Sequence, residues 1–209
     1  MGFPARNLLA MPKPDTRTRL LLAAVAVIDK DGESGVNVHQ IAKTAGVSVP
    51  SIYHFFGNRD GLLEEAQAHR FEEGLRLVAQ SLGEALAHTG TKKQYRDTLR
   101  KWLVSVTAGT NTGFRKTRAT VVASAVHNPS LASRIAEIQE RHVKQMASFL
   151  RYGTERGWVD SDIDVEAIVI WTTTQLNGKL VIELDPKKRY SKQWNELFIS
   201  SILHAMRFD

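Results

Sequence analysis

The segment Asn37 to Phe56, NVHQIAKTAGVSVPSIYHFF, constrains this chain more than any other, because it encodes two short helices joined by a turn that few residues can make. Asn37 is a good N-cap for the first helix, since its side-chain oxygen meets amides that the first turn leaves unpaired. Gln40, three residues on, can complete a capping box, so the helix is expected to start near Val38. Ile41 and Ala45 share a face, and Ala42 is small where a second helix must come close. Gly46 ends the helix, because glycine takes a left-handed conformation without strain and lets the chain reverse within a few residues. Val47 is expected to plug the corner and Ser48 to cap the second helix. Pro50 is tolerated in its first turn, Ile52, Phe55 and Phe56 are expected on its inner face, and Ser51, Tyr53 and His54 point outward. This is the helix-turn-helix pattern of proteins that read DNA.

The run Val38 to Leu63, VHQIAKTAGVSVPSIYHFFGNRDGLL, resembles the N-terminal motif of the TetR family of bacterial transcriptional regulators. A cap, a glycine turn, an aromatic run and a following helix start must all coincide for such a match, and together they span about the first third of the chain. Two positions depart from the family pattern. Pro50 stands where the family often has glycine or lysine, and Arg59 replaces a commoner lysine. An ordinary helical corner in an all-α domain is the plainer alternative.

Within the motif each residue type has a physical task. Tyr53 offers a hydroxyl to phosphate, and Arg59 adds charge near the start of the next helix, whose N-terminus already favours anions. Ser48, Ser51 and His54, with Val49 and Pro50 as apolar contacts for thymine methyls, are expected to face the major groove. His39 and Lys43 on the first helix lie at the groove edge, with Lys43 on phosphate.

The chain has 209 residues, 43% hydrophobic, enough for a real core, and its patterns are helical with no convincing hairpin signal. The expected fold is all-α: an N-terminal three-helix helix-turn-helix domain followed by a C-terminal helical domain for ligand binding and dimerisation. A flexible arm is expected over 1–14, where Arg6 and Lys13 could reach a phosphate backbone, then a DNA-binding domain over 15–60 and an effector and dimerisation domain over 61–209. A first helix is read from Asp15 to Lys30 and a long linking helix from Asp60 to His88. Later helices are read near Lys93–Thr107, Phe114–Val126, Ser130–Arg156, Val165–Leu184 and Lys192–Arg207.

Net charge is +6, favouring a polyanionic partner, yet residues 1–62 carry seven basic against five acidic side chains, so the DNA-reading part is not unusually basic. No cysteine is present, which removes disulfides and thiolate chemistry and fits a cytoplasmic home. No apolar run approaches the ~20 residues of a membrane span, so no membrane partner is expected. Neither a hydrolase, metalloprotease, P-loop nor dinucleotide motif occurs, so no enzyme activity, cofactor or metal is expected. Asp160, Asp162 and Asp164 resemble the start of a calcium loop, but Val165 occupies the glycine position, and they read better as caps of the next helix.

One short helix reads too few base pairs to find a genomic site, so a homodimer on two half-sites of a double-stranded operator is expected. Candidates for its interface are Val165, Ile168, Val169, Leu180, Trp194, Leu197, Phe198, Ile202 and Met206 on the last two helices. The resemblance implies a four-helix bundle across the dimer; the alternative is that these residues close the monomer's own core. Aromatic and polar residues on otherwise apolar helices, namely Trp102, Phe114, His127, Tyr152, Trp171, Gln175 and Asn177, are candidates for a small-molecule effector pocket. Residues 92–118 hold eight basic side chains and one acid, attracting an anionic effector or DNA flanks, or simply forming a solvated face. Three functions fit: a ligand-responsive repressor, an architectural DNA binder without effector, and a helical small-molecule-binding protein or enzyme with a vestigial helix-turn-helix.

Overall fold

The computed structural model describes residues 14–208. The arm expected over 1–14, with Arg6 and Lys13, therefore lies outside the described residues except for Pro14. The described residues form helices and connecting turns without a strand, and the chain divides into two units, Met1–Ala66 and Gln67–Asp209. The division falls later than the boundary expected at residue 60, because Leu62 and Ala66 pack into the first core.

The first unit contains α1 (Thr16–Asp31), α2 (Val38–Ala45), α3 (Val49–Phe56) and the first turns of α4 (Arg59–Leu86). Helix α1 starts where Asp15 Oδ1 accepts the Thr18 amide at 2.8 Å, and it stops at Gly32. Leu20, Ala24 and Ile28 recur at helical spacing and bury against Ile41, Ala42, Ile52 and Phe56, so the apolar stripe read from the sequence becomes one small core. Its buried residues are all apolar.

The second unit contains the rest of α4 with α5 (Lys92–Thr107), α6 (Thr112–Ala125), α7 (Pro129–Glu155), α8 (Val165–Glu183) and α9 (Ser191–Ala205). Each of three helices starts on a side-chain cap: Thr91 for α5, Asn128 for α7 and Asp164 for α8. Asp164 accepts from the Ala167 amide at 2.9 Å and Asp160 from the Asp162 amide at 2.8 Å, so two of the three acids make cap and turn bonds, and Asp160 also pairs with Arg207 at 3.2 Å. Helix α6 begins earlier than expected, after a 3-10 turn over 109–111. At Gly153 on α7 a Cβ would come within 2.8 Å of the Tyr95 ring, and the Tyr95 hydroxyl donates to the Leu150 carbonyl at 3.1 Å. Glycine there lets α5 and α7 close around a buried tyrosine.

The residues proposed for dimerisation divide in two. Val165, Val169, Phe198, Ile202 and Met206 are buried in the core of a single chain, and Ile168 and Trp194 pack partly buried against that core. These correct the expectation: helix α8 is apolar on two faces, and one of them is needed to close the monomer. Leu180 is half-buried, whereas Leu197 is 68% exposed. On α8 the outward apolar face is instead Ile170, Trp171 and Val181.

Candidate nucleic-acid interface and buried cavity

Both ends of α2 are closed by the bonds its sequence encodes. Asn37 Oδ1 accepts from the amides of His39 at 2.9 Å and Gln40 at 3.2 Å. At the other end Gly46 takes φ 66°, ψ 40°, its amide donates to the Lys43 carbonyl at 3.2 Å, and the Val47 amide donates to the Ala42 carbonyl at 3.0 Å. This pair of bonds satisfies two orphan carbonyls while turning the chain. A Cβ on Gly46 would meet only Arg19 Nη1, at 3.9 Å, so backbone conformation rather than crowding demands glycine.

Helix α3 starts without the Ser48 side-chain cap expected of it; the Ser48 hydroxyl lies 3.2 Å from that of Ser51. Ile52 and Phe56, four apart, are buried and fix the helix to its core. Phe55, expected on the inner face, is exposed and sets its ring edge against His54 at 4.8 Å, because one residue before Phe56 lies about 100° around the helix. What α3 presents outward is Pro50, Tyr53 (52% exposed) and His54, with Val49 and Ser51 half-buried beside them and Ser48 exposed at its start. His39 and Lys43 are exposed on α2.

Arg59 is placed differently from the other eight candidates. Its Nε donates to the Val36 carbonyl at 3.0 Å, its Nη2 to the Glu33 carbonyl at 3.0 Å, and its Nη1 lies 3.3 Å from Asp60 Oδ1. The guanidinium thus ties the connection between α1 and α2 through two backbone carbonyls, although its side chain is still 43% exposed. Sequence reading also passed over three residues that position α2, α3 and α4. Asn58 Oδ1 caps α4 by accepting the Gly61 amide at 2.8 Å. Arg19 Nη1 donates to the Ala45 carbonyl at 3.0 Å, meeting the C-terminal end of α2. Arg17 pairs with Glu65 at 2.8 Å and lies 5.4 Å from the centre of the Phe56 ring. Asn58 carried a local cap signal that could have been read; the two arginines act on partners far along the chain, which no local pattern announces.

In the second unit a narrow cavity of about 50 Å³ is lined by apolar side chains from α4, α5, α7, α8 and α9, among them Leu82, Leu99, Trp102, Met146 and Ile202. Four polar residues interrupt that lining: Arg118, His142, Thr172 and Thr173. An adjoining, more open cleft of about 320 Å³ shares Val78, Arg118 and Leu176 with it and adds Phe114 and Asn177. Of the seven residues proposed for an effector pocket, Trp102, Phe114 and Asn177 line these spaces. The other four do not. Tyr152 donates to the Thr89 carbonyl at 2.9 Å in a ring cluster with Tyr95 and Trp158, and Trp171 stacks on Phe198 at 6.1 Å with its other face outward. His127 is exposed and Gln175 half-buried. Aromatic character alone does not separate a pocket wall from a helix-packing contact.

Arg118 is 9% exposed, its Nε and Nη2 have no partner, and its guanidinium lies 5.1 Å from the centre of the Phe71 ring on α4. Burial pushes its pKa down to about 10, so it stays charged at neutral pH. His142 is 5% exposed with Nδ1 unpartnered, and burial, helped by the Arg118 charge, pushes its pKa down to about 4. The other buried cations are satisfied. Arg115 forks onto Glu183 and donates to the carbonyls of Val106 at 3.1 Å and Ala108 at 3.0 Å. Lys179 donates to the Thr107 carbonyl and to Asn195 Oδ1, the latter at 2.8 Å. The basic stretch 92–118 therefore splits: Lys93 pairs with Asp97 on an exposed face of α5, while Arg115 and Arg118 turn inward.

Residues 20–66 match the family model described as bacterial regulatory proteins, tetR family. The HTH-type transcriptional regulator BetI of Yersinia pestis is 30% identical over 143 residues, covering 64% of this chain and 67% of its own. The chain belongs to the TetR family. Another TetR-family relative, the HTH-type transcriptional regulator BetI 1 of Chromohalobacter salexigens, is 40% identical over 81 residues, 37% of this chain and 36% of its own, so that match spans about a third of the relative's length. GusR of Salmonella enterica shares the fold, with a TM-score of 0.66 at 19% identity over 96% of this chain and 99% of its own. The TetR-family relatives are named as regulators of transcription. Among the described residues no helix is long and apolar enough to cross a membrane.

Proposed function

We propose that the chain is a ligand-responsive transcriptional regulator, a repressor acting in the cytoplasm, that binds a pseudo-palindromic operator as a homodimer and lets go when a small molecule enters the second unit. The observation that carries the DNA reading is α3 itself, held from behind by Ile52 and Phe56 and presenting Pro50, Tyr53 and His54 outward beyond the Gly46 turn. A helix of that length fits the major groove, with side chains at base edges and flanking groups on phosphate. Lys43 and Tyr53 serve phosphate, His54 and Ser51 the bases, and Val49 and Pro50 the thymine methyls; His39 and Ser48 flank them. Arg59 acts indirectly, by holding the segment before α2.

The outward apolar face of α8 and α9 supports the dimer. Val181, Leu184 and Leu197 are 73%, 68% and 68% exposed, beside Ile170 and Trp171, and a second copy covers them. The cavity supports the effector. Helix α4 contributes Val78 and Leu82 to its wall and Leu62 to the core of the DNA-reading unit, so a ligand that changes the packing of α4 acts on an element both units share. Coupling of ~1 to 3 kcal/mol would lower operator affinity roughly 5- to 150-fold, and linkage requires DNA to weaken ligand binding by the same factor.

The test is selection of duplexes from a random pool, followed by mobility shifts with the wild type, His54→Ala and Leu197→Glu. Two inverted half-sites, relaxed preference at one or two base pairs for His54→Ala, and loss of two-site binding together with monomeric sizing for Leu197→Glu are expected. Equal weakening of every sequence by His54→Ala would remove the base-reading role.

A further inference from the structure

Among the described residues lining the cavity, Arg118 Nε, Arg118 Nη2 and His142 Nδ1 are buried without a hydrogen-bond partner. Among the described residues no acidic side chain lines either the cavity or the adjoining cleft, and the Glu183 carboxylate is already bound by Arg115. A guanidinium does not shed its proton, and the Phe71 ring face returns only part of what removing the charge from water takes away. Arg118 also stands where the two spaces meet, since it lines both. Beyond it the inner cavity is walled by Leu82, Leu99, Leu103 and Met146, and on the cleft side the Asn177 side chain has an unpartnered oxygen.

Building on the effector reading above, we propose that the molecule recognised by this cavity is an amphipathic carboxylate, its anionic group bound by Arg118 with His142 beside it and its apolar body in the inner cavity. A planar carboxylate matches the guanidinium fork with two parallel hydrogen bonds, the neutral imidazole supplies one further donor, and a hydroxyl or amide on the cleft side of the ligand meets Asn177. A cation of the same size is repelled by the Arg118 charge, which no carboxylate among the described lining residues offsets. Phe71 lies on α4, so a ligand that draws Arg118 from that ring alters a contact of the helix both units share.

The experiment compares matched probes by calorimetry on the full chain: octanoate with octanamide and octyltrimethylammonium, and 1-naphthoate with 1-naphthamide. At least one carboxylate is expected to bind about tenfold or more tighter than its amide, with the ammonium compound not binding; the preference collapses in Arg118→Met and persists in part in Arg118→Lys. Equal binding of acid and amide, preference for the ammonium compound, no binding of either carboxylate, or an unchanged preference in Arg118→Met overturns the proposal. The wild-type comparison decides by itself if Arg118→Met fails to fold. Operator release measured alongside separates the two readings. A carboxylate that binds through Arg118 without changing operator affinity removes the effector reading and leaves the anion site standing. Release by neutral or cationic molecules alone removes the anion site and leaves the effector reading.

Discussion

The two units of this chain treat polar side chains in opposite ways. Among the described residues of the first unit no polar side chain is fully buried; Arg17, Arg19 and Arg59 bond to a carboxylate or to backbone carbonyls at the helix junctions, and of their atoms only Arg19 Nε is buried without a partner. In the second unit Arg115, Arg118, His142 and Lys179 are all buried, and two of the four have atoms without a partner. Buried charge is costly unless it is paired and hydrogen-bonded. The first unit exposes its working surface and holds α3 rigidly from behind. The second holds unpartnered polar atoms of Arg118 and His142 inside an apolar cavity.

The largest expected break in that contrast is Glu183→Gln. It leaves Arg115 and Lys179 facing each other without the carboxylate between them, and removing one partner of a buried pair costs on the order of 3 to 5 kcal/mol. Denaturant unfolding should show the loss; a change under about 1 kcal/mol would mean that water reaches the pair.

His142 gives the next effect, and it depends on pH. The folded chain holds this imidazole neutral down to about pH 4, while the unfolded chain takes up a proton near 6.5. Stability is therefore unaffected above about pH 7 and falls as pH drops from about 6.5 towards 4, by on the order of 3 kcal/mol. His142→Leu should flatten that part of the melting-temperature profile. Parallel profiles for variant and wild type would show that His142 is solvated.

In the first unit Gly46→Val should act through conformation alone. A β-branched residue at φ 66° is strongly disfavoured, about 1 to 3 kcal/mol, and the strain is relieved by moving α3 relative to α2. Operator binding should vanish in mobility shifts while circular dichroism and sizing stay close to wild type; wild-type affinity would sink the turn assignment.

Arg59→Met should have the smallest effect and is the sharpest test of how the first unit spends its charge. Its bonds to Val36 and Glu33 predict a loss of about 1 kcal/mol in stability and a salt slope of DNA binding that does not change. A slope smaller by about one would return Arg59 to the phosphate backbone.

Much of the chain was legible because its signals are local. Asn37, Gly46 and the spacing of Leu20, Ala24 and Ile28 each act within a turn or two of helix, and the observed elements begin and end within a few residues of the expected ones. Phe55 is instructive: the aromatic run was visible, but which ring faces in depends on where α3 begins and what it packs against.

By itself the sequence determined the helices, their caps, the glycine turn and the family to which the chain belongs, because a capping oxygen and its amide, or two side chains on one helical face, are neighbours along the chain. Only the tertiary structure decided that Val169 and Ile202 close the core of one chain, that Arg59 is tied to Val36 and Glu33, and that Arg118 and His142 meet in an apolar cavity. Those outcomes join residues far apart in sequence. Whether a charged side chain ends in water or in a cavity depends on the helices packed around it, which no window of neighbouring residues contains.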